Sequence, residues 1–349
     1  MRSLNTSLRL GVIGAGRMGV THHCIANSRE DARVVAVADP SPVVTKMLSK
    51  YAGVSAHKDY KSMLAKEQLD AVLVCTPPTA NGEILTAVAE KGLHAFVEKP
   101  FTLDPAEGRR LAQLFRERNL VGQVGYVNRF NDVFTRLRAY LEAGVVGKVI
   151  RFRSEMFSAT IIRDPGEGGW RSTHANGGGA TYEMASHAID LINYLMGRPD
   201  RVSGASLSKV FSRNVEDVVS ATFHYGSGVA GTLYVNWSDP SFRKPTNKIE
   251  VFGDKGKIQA DQHGMKVFCA EARPEHGFSR GWNQLYITDL FNPVPFYLRG
   301  VEFTAQLYDF LDHVRRGDAQ TRCTFEDGAA VLELIQDIFR DSQSAGGLN

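Results

Sequence analysis

A chain of 349 residues exceeds the usual reach of one hydrophobic core and predicts two domains. With 43% hydrophobic and 23% charged residues it has the make-up of an ordered globular protein, which excludes a disordered or low-complexity chain. A net charge of +3 is too weak a field to call for nucleic acid, and no stretch approaches the ~20 apolar residues of a membrane helix, so neither partner is expected.

The N-terminal stretch Met1 to Leu10 lacks the apolar centre of a signal peptide. Cys24, Cys75, Cys269 and Cys323 are scattered, with neither C-x-x-C nor metal-ligand spacing to histidine. They read as reduced thiols; the expected compartment is the cytoplasm, and no metal is expected.

From Leu8 to about Gln123 short β-branched runs alternate with helical stretches. Strands are predicted at Leu8 to Ile13, Arg33 to Ala38, Ala71 to Cys75, His94 to Val97 and Val121 to Val124. Apolar on both faces, they suit a parallel sheet covered by helices, whose bounds are marked by Pro42, Gly92 and Asp104-Pro105. The first strand runs straight into Gly14-Ala15-Gly16-Arg17-Met18-Gly19, which opens a helix, and an acid, Asp39, ends the next strand twenty residues beyond Gly19. In that context the glycines are a dinucleotide fingerprint: Gly14 for the tight turn, Gly16 for backbone approach to the pyrophosphate, Gly19 for close helix packing. Asp39 favours NAD over NADP, because its charge repels a 2′-phosphate; Pro40 follows it, with Lys46 the nearest cation that could still answer one. Residues 1–127 are therefore assigned to a Rossmann dinucleotide-binding domain. Lys99, in Glu98-Lys99-Pro100 past the strand His94 to Val97, is delivered to the cofactor edge, because ligands bind at the C-terminal ends of parallel strands.

Residues 128–349 are assigned to a second α/β domain for substrate binding and oligomerisation. After a helix from Asn131 to Glu142, Lys148 to Phe157 alternates polar and apolar residues. Further strands are predicted at Val202 to Phe211, Val218 to Tyr225, Val229 to Trp237 and Lys248 to Phe252, joined by short glycine turns in a mostly antiparallel sheet. Helices at Thr181 to Met196 and Val301 to Arg316 are expected to cover one face, leaving the other for an oligomer interface. A last helix runs from Phe325 to Phe339 behind Thr324. On the helix after Gly177-Gly178-Gly179, Glu183, His187, Asp190 and Tyr194 fall in one polar stripe. A histidine flanked by carboxylates is a reasonable proton acceptor near neutral pH, and a structural Glu and His pair fits the spacing equally well.

The Gly14 to Gly19 turn, Thr76-Pro77-Pro78, Glu98-Lys99-Pro100, Gly125-Tyr126-Val127-Asn128-Arg129-Phe130 and the segment through Glu183 and His187 together resemble the glucose-fructose oxidoreductase, inositol dehydrogenase and rhizopine-catabolism (Gfo/Idh/MocA) family. The resemblance implies a Rossmann domain followed by a large open sheet, homodimers or homotetramers built through that sheet, and carbohydrate or cyclitol substrates. It implies a catalytic trio of Lys99, Glu183 and His187, a cis peptide before Pro100, and cofactor contacts from Thr76, Pro77, Pro78 and Glu98. Asn128, Trp170 and Arg171 join the trio as candidate substrate contacts. Two positions depart from the family pattern: Glu183 where aspartate is commoner, and Asn81 where many members carry histidine. The expected activity is hydride transfer between nicotinamide and a secondary alcohol of a sugar, cyclitol or nucleotide-linked sugar. The segment from Gly281-Trp282-Asn283 to Tyr297-Leu298-Arg299-Gly300 resembles members of polysaccharide or nucleotide-sugar pathways. A redox-assisted glycosidase and a non-enzymatic dinucleotide sensor remain alternatives.

Overall fold

The computed structural model describes residues 7–164, 166 and 169–344; the outermost ends of the two predicted domains, at Met1 and Asn349, lie outside them. The chain divides into one unit of residues 1–127 with 293–329 and another of residues 128–292 with 330–349.

In the first unit β1 (Leu8–Ile13), β2 (Ala32–Ala38), β3 (Ser55–His57), β4 (Ala71–Val74), β5 (His94–Val97) and β6 (Gly122–Val124) form a parallel sheet in the order β3-β2-β1-β4-β5-β6. Between them run α1 (Arg17–Ala26), α2 (Pro42–Ala52), α3 (Tyr60–Lys66), α4 (Pro78–Glu90) and α5 (Pro105–Glu117). Polar caps set the starts: Ser41 accepts from Val44 N and Asp104 from Ala106 N, each with proline at the first helical position. The sheet order reverses at β1 and β4, so both strands deliver the turns that follow them to one crevice. β3 has no counterpart among the predicted strands. Three residues with one small apolar side chain show no measurable alternation.

In the second unit eight strands follow the order β14-β13-β12-β11-β7-β10-β9-β8. They are β7 (Val149–Phe157), β8 (Arg201–Ser208), β9 (Val218–His224), β10 (Ala230–Asn236), β11 (Thr246–Gly253), β12 (Gly256–Asp261), β13 (Gly264–Cys269) and β14 (Gly281–Tyr286). All pairs are antiparallel except β7 with β10. β12 to β14 extend the predicted sheet. Their apolar residues are interrupted by Lys257, Gln259, Lys266 and Gln284, which hides them from a search for apolar runs.

Helices α6 (Asp132–Glu142, capped by Asn131) and α7 (Ser186–Met196) lie on this sheet, over β12 and β7 respectively. The short α8 (Ile287–Leu290) packs beside α6 and β14. The expectation that the helix from Val301 to Arg316 covers this sheet is corrected. That helix, α9 (Val301–Arg316), buries Leu307, Phe310, Leu311 and Val314 in the first unit's core with Leu10, Val34, Leu73 and Phe96. An amphipathic stripe specifies that a helix has a core, not which core. The assignment of all residues 128–349 to the second domain changes accordingly at 293–329, the stretch containing α9. α10 (Phe325–Ser344) begins in the first unit, where Phe325 packs at a tilt against Phe101 and Phe115, and continues in the second, where Phe339 meets His174 and Tyr182.

The strands bury one set of alternating residues, including Phe152, Val219, Leu233 and Val251. The opposite set includes exposed aromatics: Tyr234, Phe252, Phe268, Trp282 and Tyr286.

Candidate active site

The phosphate-binding turn shows why each glycine is there. Gly14 sits at φ +87° with its α-carbon against the Cys75 carbonyl, so that a Cβ would fall 2.7 Å from that oxygen. A Cβ on Gly19 would fall 2.0 Å from the Gly14 oxygen, which is the close approach of α1 to its own turn. Gly16 differs, since a Cβ there meets nothing within 4 Å. Its lack of a side chain is not demanded by packing and leaves open space at the first turn of α1, where N–H groups lack intrahelical partners and the helix end favours an anion.

Asp39 is held in place from both sides: Oδ2 accepts from Ala15 N and Oδ1 from Ser41 N, each at 2.8 Å. A carboxylate is thus locked beside the turn, its remaining lone pairs available to a ribose. With the open cradle at Gly16, these residues fit a dinucleotide.

Two further loops follow β4 and β5. Thr76 donates to Asn81 Oδ1 at 2.8 Å, and the Asn81 amide donates to the carbonyl of Phe101 at 3.0 Å. Asn81, the departure noted above, therefore ties the Thr76-Pro77-Pro78 turn to the loop carrying Lys99, whose peptide to Pro100 is cis as the resemblance implies. Glu98 Oε1 lies 2.6 Å from Nε2 of His22, a fully buried residue of α1 packed edge-on against Phe96. Burial pushes the Cys75 thiol well up, and the charge of Glu98 adds to it, so Cys75 stays protonated. Arg299, in the left-handed region at φ +67°, is held below its ordinary basicity by burial and by the charge of Arg17, with Glu98 opposing. His22 had no sequence signal for this role beyond its polarity, and the resemblance marks Asn81 and the segment holding Arg299 without indicating these contacts.

In the second unit the triple glycine makes room for protein. A Cβ on Gly178 would lie 2.3 Å from the Arg171 carbonyl, and one on Gly179, at φ +94°, would lie 2.5 Å from Glu216 Oε1. This packing folds the Trp170–Asn176 segment back on the helix start. Arg171 lies over the Trp170 ring at 4.5 Å and donates to Glu183 Oε1 at 3.3 Å, so three of the predicted substrate residues come together.

Residues Thr181–Ala185 form a π-helical turn before α7, which sets Glu183 and His187 apart from ordinary helical spacing. Of the expected polar stripe, His187, Asp190 and Tyr194 keep their helical spacing on α7, and Glu183 lies on the π turn before it. Asp190 is fully buried and takes three guanidinium contacts from Arg129 at 2.8 to 3.0 Å, while Tyr194 lies under Arg129 and Arg138. Their role is structural. His187, half-buried, lies in the first turn of α7. Asn128, buried in the 3₁₀ turn Val127–Phe130, accepts through its carbonyl from the α6 cap Asn131.

Among the described residues no group of three or more His, Cys, Asp or Glu is placed to hold a metal ion, and no helix is long and apolar enough to cross a membrane.

Comparison with known proteins agrees with this geometry. The family described as an oxidoreductase family with an NAD-binding Rossmann fold matches residues 8–126, and the GFO/IDH/MocA C-terminal domain matches residues 134–259. Myo-inositol 2-dehydrogenase of Thermotoga maritima is 28% identical over 340 residues, 94% of each chain. The rhizopine catabolism protein MocA of Rhizobium meliloti is 28% identical over 357 residues, 99% of each chain. A levoglucosan dehydrogenase solved in complex with NADH shares the fold, with a TM-score of 0.86 at 21% identity over 97% of this chain and 98% of that one. The two family matches, on a Rossmann unit and an open-sheet unit in that order, show that this chain belongs to the GFO/IDH/MocA family of NAD-binding oxidoreductases.

Proposed function

We propose that this protein is an NAD-dependent dehydrogenase that moves a hydride between nicotinamide and a secondary alcohol carbon of a sugar, a cyclitol or a nucleotide-linked sugar. The carrying observation is Asp39: a carboxylate fixed by Ala15 N and Ser41 N beside an open glycine cradle suits a free ribose and repels a 2′-phosphate. When bound, the nicotinamide supplies the hydride acceptor or donor. In the oxidation direction His187 takes the hydroxyl proton and Lys99 polarises the same oxygen. Glu183, held by Arg171, orients His187 or moves protons, and Trp170, Arg171 and Asn128 contribute to substrate binding. Gly14, Gly16, Arg17, Met18 and Gly19 carry the phosphates, with Thr76, Pro77, Pro78 and Glu98 lining the nicotinamide end.

The relatives' names support a polyol or sugar substrate: one acts on myo-inositol and another on levoglucosan. Self-association through the open sheet face completes the assignment, because five exposed aromatics on one uncovered face are more than a solvated surface ordinarily carries. Scattered single cysteines favour the cytoplasm.

The test is a panel of myo-inositol, scyllo-inositol, levoglucosan, D-xylose and nucleotide sugars scanned with NAD and NADP for reduced cofactor. Lys99→Ala and His187→Ala should each lower kcat by roughly 10²- to 10⁴-fold. Turnover with no member of the panel, or full turnover in both variants, would overturn the proposal. Sedimentation velocity reads the oligomer, and a monomer at micromolar concentration removes the interface.

A further inference from the structure

Just ahead of β9, Glu216 is a carboxylate with no solvent exposure and three side-chain hydrogen bonds. Oε1 accepts from Thr181 N at 2.8 Å and from Thr181 Oγ1 at 2.5 Å; Oε2 accepts from His174 Nε2 at 2.5 Å. The Glu216 carbonyl accepts in addition from Ala180 N at 3.0 Å. Ala180 and Thr181 are the residues on which the π-helical turn begins, and Glu183 is two residues further on. His174 belongs to the segment that presents Trp170 and Arg171, the latter bonded to Glu183.

One buried anion thus joins the two segments whose side chains meet at Glu183. Its own footing is firm. The neighbouring Asp217 accepts from the backbone N–H groups of Val210, Phe211 and Ser212 and from Trp237 Nε1. A carboxylate at a helix start satisfies N–H groups that have no intrahelical partner and is favoured by the helix dipole. A π turn is rare and persists only where its surroundings hold it. Gly179 completes the fit, since any larger residue would meet Glu216.

We propose that Glu216 is a positioning residue for Glu183: it fixes the π-helical turn and, through His174, the Trp170–Asn176 segment, so that Glu183 and Arg171 are presented together. This rests on the role given to Glu183 above. The effect on kcat is carried by Glu183, so in kcat the energetics of the two residues must be coupled, whereas displacement of Trp170 and Arg171 is read in KM.

The experiment is a double-mutant cycle of Glu216→Ala and Glu183→Gln, read as kcat, KM and NADH binding by fluorescence, with whichever of myo-inositol, scyllo-inositol, levoglucosan and D-xylose turns over fastest. Glu216→Ala should lower kcat on the order of 10²-fold, the cost of misplacing a reacting group by about 1 Å. NADH affinity should be unchanged. In the Glu183→Gln background the same substitution should change kcat by less than about twofold. Glu216→Gln, which still accepts from Thr181 and can donate to His174, should restore most of the activity. Hydrogen exchange should quicken in residues 179–185 of Glu216→Ala and stay as in the wild type elsewhere.

Multiplicative losses in the cycle, or an unchanged kcat in Glu216→Ala, would overturn the inference while leaving the catalytic assignment standing. Wild-type turnover in Glu183→Gln would remove that assignment and the inference with it. Should Glu216→Ala fail to fold, the near-isosteric Thr181→Val, which removes one of the three bonds, is read in the same cycle. A several-fold loss of kcat that vanishes in the Glu183→Gln background supports coupling; a loss that persists there refutes it.

Discussion

Replacing Gly16 by alanine separates the fold from the cofactor. The residue has φ −68° and ψ −169°, backbone angles that alanine adopts without strain, and its Cβ would touch nothing within 4 Å. The unfolded chain loses freedom, worth about 0.4–1 kcal/mol, and alanine is a poorer N-cap for α1 by a similar amount, so Gly16→Ala should leave stability within about 1 kcal/mol of the wild type. Binding should fall. The methyl group enters the space through which a pyrophosphate approaches the backbone, and forfeiting one hydrogen bond to a charged group costs about 1.5–3 kcal/mol. That corresponds to a Kd for NADH weaker by roughly 10- to 100-fold. The neighbouring glycines supply the contrast. Gly19→Ala drives a Cβ to 2.0 Å from the Gly14 oxygen, and Gly14→Ala combines φ +87° with a 2.7 Å approach to Cys75 O; both should lose stability before binding can be measured. Thermal unfolding without ligand and NADH fluorescence titration read the two quantities separately. If Gly16→Ala binds NADH like the wild type, the assignment of that space to the cofactor is wrong.

Asp39→Ala removes the acceptor of the Ala15 and Ser41 N–H groups together with the charge that repels a 2′-phosphate. The ratio of kcat/KM for NAD over NADP should fall at least about tenfold, and an unmoved ratio refutes the role. Asn81→Ala strands the Thr76 hydroxyl and the Phe101 carbonyl, which should cost about 1–3 kcal/mol in urea unfolding and raise KM for NAD; a loss below about 0.5 kcal/mol would contradict the tie between the two loops. For Asp217, burial pushes the carboxyl up, but donors from Ser212, Trp237 and the backbone outweigh it and hold the group below its usual range. The folded pKa is lower than the unfolded value of ~3.9, so its stabilisation is present above that pH and is lost as pH falls through the folded value. Asp217→Asn should therefore be less stable than the wild type at pH 7 and 5, with a gap that narrows as pH falls from ~3.9 through the folded value. A gap unchanged into strong acid would show that the charge is not what is being used.

The elements a lone sequence reveals best here are those whose burial is complete. β1 and β5 have the bounds expected of them because four of the last residues of β1 and three of β5 are fully inside, leaving an unbroken apolar run between glycine or charged neighbours. α9 was equally legible as a helix, with glycine on either side of Val301–Arg316. Its destination was not. Leu307, Phe310 and Leu311 suit any apolar layer, and only the tertiary fold assigns them to the core around Phe96 and Leu10. β12 to β14 show the opposite loss: their buried apolar side chains are Ile258, Ala260, Met265, Val267 and Cys269, at alternate positions and none of them in β14, so no run registers.

The candidate site divides by the same physics. Glycines announce themselves, since a position that needs φ +87° or a backbone approach that excludes Cβ admits few other residues. The residues that hold those glycines and the acids in place have no such restriction on their identity. His22, Asn81 and Glu216 are each one polar residue among many until folding brings His22 to Glu98, Asn81 to Thr76 and Phe101, and Glu216 to Thr181. Spacing misled most at the helix after the glycines. The four-residue step from Glu183 to His187 crosses a π turn at Thr181–Ala185 rather than continuous α-helix, and the first residue of that turn donates to a carboxylate thirty-five positions away. A local pattern can therefore identify the side chains a site uses, whereas the supports that aim them are properties of the tertiary fold.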